Sequence, residues 1–313
     1  MAWALLSREP MTNDPARITI RRGGWDAPER SPAQERFYRE LMAVERLPSA
    51  PEIAQRLLVA INREDAHARH LTALIVRDQS LSARLLRLAN SAFFSIRTRV
   101  TSIHHATTLL GFARVRDLAL GLSVWGALEG KSPDARRWRR LLWTHTSLVA
   151  ATAKTLAERT GHDGNTAFTA GLLHDVGKLV IGLRLGDSYW SLLDEALADG
   201  REGAELEAEA FGCHHATVGG WLLQLWALPP ALVDAVALHH EPLVADFGLD
   251  LPAVVAVANR LVNATDPASG VARNQVLDEI RAFAPGLLSA DTWPEMYASL
   301  AREQHAVAGI FEG

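Results

Sequence analysis

The chain has 313 residues, of which 48% are hydrophobic and 22% are charged, a composition typical of globular rather than disordered proteins. The 32 basic and 36 acidic residues give a formal net charge of −4, which argues against bulk nucleic acid or an anionic membrane as the main partner. The single cysteine, Cys213, excludes an intrachain disulfide and a multi-cysteine zinc site, and no stretch approaches the roughly 20 apolar residues of a membrane span, so we expect a cytoplasmic protein.

The N-terminal third of the sequence contains two regions with different sequence patterns. Residues 1–34 are rich in proline and charge and show little periodicity, which predicts an N-terminal arm. Short helices follow, with predicted starts at Ser49, where a glutamate three residues later completes a capping box, and at Ser80 and Ser102. Residues 35–130 are therefore predicted to form an N-terminal helical lobe.

Longer amphipathic segments follow Pro133, and glycines or prolines separate them as helix stops. They predict a second helical lobe over residues 131–265 and a helical C-terminal extension over residues 266–313. The expected fold class is all-α, with two lobes. The predicted helices of this part cover residues 134–159, 165–185, 187–198, 215–226, 230–240, 251–264, 274–283 and 292–307.

Histidines are concentrated in the second lobe, where seven of the 12 lie between His145 and His240. Histidine is the commonest transition-metal ligand, and two metals held by histidines and a bridging carboxylate can hydrolyse phosphate esters. The doublet of His174 and Asp175 is the strongest local element. On a continuous helix its side chains would point about 100° apart, and Lys178, one turn later, would reach a phosphate or the carboxylate.

The other histidines of interest lie at helix positions that favour an inward or cleft-facing side chain. His145 has apolar neighbours one turn away on both sides, so we expect it to face the interior. His215 begins a predicted helix, and His239 and His240 end another. The candidate metal ligands, for one or two ions of Fe, Mn or Zn, are His145, His174, Asp175, His215, His239 and His240. The alternative is a buried His-Asp pair held by a charge-assisted hydrogen bond without metal.

A basic cluster begins the first long helix of the second lobe. Four arginines flank Trp138 there. Such a cluster can bind a nucleotide or an acidic partner, but most runs of charged residues form a solvated helix face. The candidate anion-binding residues are Arg136, Arg137, Arg139 and Arg140.

Several short segments form a distinctive set across both predicted lobes. In the first lobe they include Leu-Pro-Ser-Ala-Pro and Leu-Leu-Arg-Leu-Ala-Asn-Ser-Ala. In the second lobe they include His-Ala-Thr-Val-Gly and His-His-Glu-Pro. The segments are residues 47–51, 75–81, 85–92, 107–111, 215–219, 226–229 and 239–242. Together they resemble the HDOD family, the HD-related output domain of bacterial signalling proteins, over approximately residues 41–263.

The resemblance extends to the HD-GYP phosphodiesterases, which cleave cyclic di-GMP. It implies that Asp175 bridges two metals, that Lys178 holds a phosphate, and that the candidate histidines are ligands. Two departures count against turnover. Asn259 stands where HD enzymes carry an aspartate ligand, so the site loses a negative charge and affinity for cations. Residues 244–248 replace the expected Gly-Tyr-Pro element.

Three functions are consistent with these residues. The first is a regulatory signalling module that binds a partner protein without catalysis. The second is a metal-dependent phosphohydrolase, such as a cyclic-nucleotide phosphodiesterase, with Asp175 and Lys178 as catalytic residues. The third is a module that holds a metal or nucleotide as a regulatory ligand without turnover. Asn259 and the missing Gly-Tyr-Pro element favour the first.

Overall fold

The computed structural model describes residues 25, 30–42, 52–61, 68–91, 94, 96, 98–128, 130–243, 249–265, 273–285, 287 and 298. Within these ranges the secondary structure is helical and no strand occurs, which confirms the all-α prediction. None of the described helices combines the length and apolar character that a membrane crossing requires. The predicted helix start at Ser49 lies outside the described residues, as does the predicted helix over 292–307 except for residue 298.

The described residues form 15 helices. They are α1 (Pro32–Met42), α2 (Glu52–Ile61), α3 (Ala68–Arg77), α4 (Gln79–Ala89), α5 (Ile103–Leu110), α6 (Phe112–Ala127), α7 (Pro133–Arg159), α8 (Gly164–Leu173), α9 (Val176–Leu185), α10 (Asp187–Asp199), α11 (Gly203–Phe211), α12 (His215–Leu225), α13 (Pro230–Leu238), α14 (Leu251–Asn263) and α15 (Arg273–Phe283).

Side-chain caps set several of these boundaries. Ser102 caps α5 as predicted, because its side chain accepts a hydrogen bond from the His105 backbone. The predicted start at Ser80 is wrong, since Asp78 caps α4 by accepting from the Leu81 amide at 2.9 Å. An aspartate also caps α8, where Asp163 accepts from two backbone amides of the first turn.

The helix predicted over 165–185 is divided at the His-Asp doublet. The first part, α8, ends at Leu173, and α9 begins at Val176. Asp175 has φ −95° and ψ 11°, in the bridge region outside regular helix. His174 Nδ1 bonds to the Gly171 carbonyl at 2.7 Å, which satisfies an acceptor at the end of α8. The doublet therefore lies at a junction between two helices rather than on one continuous helix.

The 27-residue α7 packs against α8, α9, α10 and α14. One large hydrophobic cluster includes residues from α6, α7, α9, α12 and α13, and therefore from both predicted lobes. At the contact of α6 with α7 the rings of Trp125 and Trp143 meet edge to face, 5.2 Å apart. A second cluster joins α7, α8, α14 and α15. The domain boundaries at residues 34, 130 and 265 stay predictions.

A glycine permits the closest helix approach near the doublet. A Cβ atom added at Gly177 would lie 1.9 Å from the carbonyl oxygen of His215 and 2.8 Å from the amide nitrogen of Gly219. The backbones of α9 and α12 are therefore in direct contact two residues after Asp175. This contact brings Asp175 and His215 together.

We expect Gly177→Ala to lower the free energy of unfolding by about 3 kcal/mol, because two backbones must separate to accept the methyl group. Gly203→Ala is the matched control, since its Cβ would meet only the Cδ2 atom of the Leu193 side chain, at 3.0 Å. Its stability should change by less than about 1 kcal/mol. Urea denaturation followed by circular dichroism measures both. Equal stabilities would contradict the backbone contact.

Candidate metal centre

Asp175 lies between histidines from several parts of the fold. Its Oδ2 atom lies 3.5 Å from His174 Nε2 and 3.7 Å from His145 Nε2. Its Oδ1 atom lies 3.0 Å from His215 Nε2 and 3.9 Å from His239 Nε2. Each carboxylate oxygen therefore faces a different pair of histidines.

The candidate ligands form two groups, and within each group the ligand atoms lie within 4.8 Å of one another. In the second group the Nε2 atoms of His240 and His215 are 3.1 Å apart. We name the groups after their first members: the His145 group is His145, His174 and Asp175, and the His215 group is His215, His239 and His240. All six predicted ligands thus come together, and their role as ligands stays a prediction.

Helix ends supply most of these side chains. His145 is the exception, because it lies in the middle of α7. His174 and Asp175 form the junction of α8 and α9, and His215 is the first residue of α12. His239 follows the last residue of α13. At a helix end a side chain escapes the crowding of the next turn, so four helices can direct ligands at one point.

Two buried imidazole nitrogens suit a metal because they have no other partner. The Nε2 atoms of His174 and His239 are buried and form no hydrogen bond. The opposite nitrogens donate to backbone carbonyls, of Gly171 at 2.7 Å and of Val236 at 2.8 Å. This pattern places the ring proton on Nδ1 and a lone pair on Nε2, as in histidines that bind metals. The residues present therefore fit a metal.

Most of the histidines are held in the neutral form that binds metals. Burial lowers the pKa of His145 from 6.5 to about 3 and also lowers the pKa of His174. Burial, followed by repulsion from neighbouring histidines, lowers the pKa of His239 and His240 well below 6.5. Proton competition for these four rings is weak at neutral pH.

Asp175 stays ionised although it is buried. Burial favours the neutral acid, but the opposing charge of Lys178 and the neighbouring His174 and His215 hold its pKa well below 3.8. The Lys178 Nζ atom lies 2.8 Å from Asp175 Oδ2. The lysine thus neutralises the carboxylate in the metal-free protein.

Glu207 is a site residue that the sequence did not reveal. It is fully buried on α11, and its Oε2 atom lies 2.7 Å from His215 Nδ1 and 2.6 Å from the His215 amide nitrogen. Tyr189 donates to its other oxygen at 2.5 Å. Burial alone would lower the pKa of His215, because it disfavours the charged ring. The negative charges of Glu207 and Asp175 outweigh this effect and raise the His215 pKa above 6.5.

Sequence pattern could not single out Glu207. It stands between Glu205 and Glu209 in an alternating glutamate run, and these neighbours are exposed and pair with Arg201. The helix that carries it, α11, is also absent from the predicted elements. Burial of one glutamate out of three is visible only in three dimensions.

Asn259 lies beside the His145 group, as the resemblance implies. It is buried on α14, within hydrogen-bonding reach of His145. Its Oδ1 atom forms no hydrogen bond. A neutral carbonyl oxygen is therefore available next to His145, where a carboxylate would bring a negative charge.

The centre is partly accessible to solvent. The side chains of His145, Lys178 and His240 are 23%, 19% and 19% exposed, whereas His174, Asp175 and His239 are buried. Solvent therefore reaches the lysine that pairs with Asp175.

The four arginines of the basic cluster on α7 differ in their environments. Arg139 is buried and donates to the carbonyls of Leu128 at 2.7 Å and Trp125 at 2.9 Å. Arg137 pairs with Asp194. Two members remain more accessible: Arg136, which bonds to the Lys131 carbonyl, and the exposed Arg140. Anion binding by these four arginines stays a prediction.

Protonation of His145 should couple stability to pH. Its pKa is about 3 in the folded protein and 6.5 in an unfolded reference, so below pH 6.5 the unfolded chain binds more protons. The stability that neutral His145 provides is therefore full above pH 6.5 and declines as the pH falls.

For metal-free protein in chelator, we expect His145→Gln to reduce the loss of unfolding free energy between pH 7 and pH 5 by about 2 kcal/mol. His104→Gln, at an exposed histidine of α5, should leave the loss unchanged. Urea titrations at each pH provide the measurement, and parallel pH profiles for wild type and His145→Gln would refute the assignment.

The sequence and the fold both match known proteins. The HDOD domain family matches residues 47–242. Among solved structures, an HDOD domain protein of unknown function from Geobacter sulfurreducens has a TM-score of 0.70 and 26% identity, covering 89% of this chain and 97% of that chain. A protein from Shewanella amazonensis SB2B, provisionally named a phosphohydrolase, has a TM-score of 0.65 and 29% identity, with coverages of 86% and 97%.

A curated relative comes from Treponema pallidum (strain Nichols) and is described as uncharacterized. It is 26% identical over 228 residues, which are 71% of this chain and 44% of that protein. The chain therefore spans less than half the length of this relative.

Proposed function

This chain belongs to the HDOD domain family, and we propose that it is a cytoplasmic bacterial signalling module that uses a divalent metal centre to support binding of a signalling partner. The observation that carries the proposal is the position of Asp175 between two histidine groups. A metal in this role stabilises and shapes the surface that a partner or a nucleotide ligand recognises.

Six side chains would hold the metal, which we propose to be two ions of Fe, Mn or Zn. The histidines of each group would bind one ion, and the two oxygens of Asp175 would face different ions. Imidazole and carboxylate are a suitable donor set for these metals. When bound, such ions supply Lewis acidity and activate water.

The replacement of an acidic ligand supports regulation rather than turnover. Asn259 contributes no charge beside the His145 group, so Asp175 is the only carboxylate among the six proposed ligands. Weaker charge compensation lowers affinity for a hard cation and leaves the centre more positive. A positive centre favours retention of an anionic ligand over its release.

Metal content tests the proposal directly. Untagged protein, expressed with added Fe, Mn and Zn and purified without chelators, should contain about two transition-metal ions per chain by elemental analysis. Asp175→Asn should lose most of this metal, because the amide cannot supply two charged oxygens. The exposed Asp199→Asn on α10 is the matched control and should retain it. A wild-type protein without metal would overturn the proposal.

Phosphohydrolysis is the second candidate function, and Lys178 favours it. Its ammonium group lies 2.8 Å from Asp175, and its side chain is partly exposed, so it would be accessible to a phosphate oxygen. The provisional name of the Shewanella amazonensis relative agrees with this alternative. In this role Asp175 would organise the centre, and Lys178 would orient the substrate.

A turnover assay separates the two functions. We expect metal-loaded wild type to hydrolyse bis(p-nitrophenyl) phosphate no faster than Asp175→Asn, because Asn259 leaves the centre short of one charged ligand. Hydrolysis by wild type that disappears in Asp175→Asn and persists in Asp199→Asn would establish the phosphohydrolase instead. Circular dichroism of each variant confirms that the helical content is retained.

A further inference from the structure

The N-terminal segment is seated on the helices that carry the His215 group. We use the name N-terminal clamp for Trp25 together with residues 30–42, which include α1. Its described contacts fall on α9, α11, α12 and α13. The clamp thus contacts the predicted second lobe, which contains the candidate metal centre.

The clamp contacts the C-terminal end of α11. The rings of Phe37 and Phe211 are stacked with centroids 4.8 Å apart and planes 2° from parallel. Gln34 donates from Nε2 to the carbonyl of Gly212 at 2.7 Å. These contacts fix the short connection that leads from α11 to His215.

The first part of the clamp lies across α12 and α13. The Trp25 backbone amide donates to Asp234 Oδ1 at 2.6 Å. Its ring covers Gly220, where an added Cβ would lie 3.0 Å from a ring carbon. Arg30 lies over the ring of Tyr38 at 3.6 Å and near Trp221 at 5.3 Å. Since α12 begins at His215 and α13 ends beside His239, the clamp spans both helices.

Carboxylates on and beside α11 contact histidines of the candidate metal centre. Glu207 accepts hydrogen bonds from both the backbone amide and the Nδ1 atom of His215. Glu202, at the start of α11, lies 3.8 Å from the Nδ1 atom of His240. A carboxylate on the outer nitrogen of a ligating histidine fixes the ring and raises its basicity. A shift of α11 would therefore disturb His215, which Glu207 holds through two hydrogen bonds.

The His145 group is positioned by different contacts. His174 is fixed by a carbonyl of its own helix, through the bond to Gly171. His145 lies within α7 and near Asn259 of α14. The described contacts of the clamp do not include these side chains.

We propose that the N-terminal clamp sets the position of His215 through α11 and Glu207, so that loosening the clamp weakens metal binding by the His215 group and spares the His145 group. The statement about two metal affinities rests on the proposed function. The mechanical link from the clamp to His215 does not. Glu207 is a positioning residue in this arrangement, because it acts on the metal through His215.

Hydrogen exchange tests the mechanical link in metal-free, full-length protein. The double variant Gln34→Ala/Phe37→Ala removes the two contacts to the end of α11. Exchange over residues 212–218 should become about tenfold faster, while exchange over residues 142–149, around His145 in α7, stays unchanged. Arg39→Ala is the matched control, since Arg39 is an exposed α1 residue paired only locally with Glu35, and it should change neither region.

Stepwise metal titration tests the selective effect. In wild type, Co²⁺ binding followed by calorimetry and visible absorption should resolve two sites. The double variant should weaken one site by at least tenfold and leave the other within twofold. Glu207→Gln should produce the same selective loss, whereas Glu209→Gln, at an exposed glutamate of the same helix, should not.

The outcomes distinguish failure of the link from failure of the proposed function. Unchanged exchange over residues 212–218, or equal acceleration in both regions, overturns the link whether or not metal binds. Equal weakening of both Co²⁺ sites overturns the selective effect. A wild type that binds no Co²⁺ overturns the proposed metal function and the selective effect, and the exchange experiment alone then decides the link.

Discussion

The ionised carboxylate of Asp175 is the constraint around which the second half of the fold is arranged. A buried charge is costly unless it is paired or hydrogen-bonded, and here Lys178 and several histidines surround it. They reach it because helix backbones approach closely. Because Gly171 has no side chain, the backbone of α7 lies against it, and in the same way the backbone of α12 lies against Gly177. A side chain of α13 lies against Gly219. Side chains at these glycines would separate the helices that supply the ligands.

Both histidine groups face Asp175, and they differ in how one ring, that of His215, is fixed. Backbone carbonyls orient His174 and His239, whereas the buried carboxylate of Glu207 orients His215. A carbonyl fixes the tautomer only, while a carboxylate also makes the ring a stronger electron donor. The centre is therefore chemically asymmetric even though each group contains three ligand atoms. This asymmetry is the reason that disturbance of α11 affects one group selectively.

Much of the fold and the positions of the candidate ligands follow from the sequence, because helical periodicity and capping are local properties. The long helix α7 and the histidines at the ends of α12 and α13 were placed correctly from such patterns. The break at Asp175 was not predicted, because the sequence has helical periodicity on both sides of it. The interruption depends on contacts with other helices. Glu207 was missed for a similar reason: its burial depends on how α11 packs, and nothing in its neighbours marks it.

The position of His145 along α7 has a mechanical consequence. Residues before it, such as Trp138 and Trp143, belong mainly to the large hydrophobic cluster, whereas Leu148, Val149 and the apolar residues of the last turns belong to the second cluster. One helix of 27 residues, about 40 Å long, thus spans two cores, and His145 lies where they meet. Any rocking of one core against the other must bend or tilt α7 at this point. Such a movement would register first in the 3.7 Å separation between His145 and Asp175.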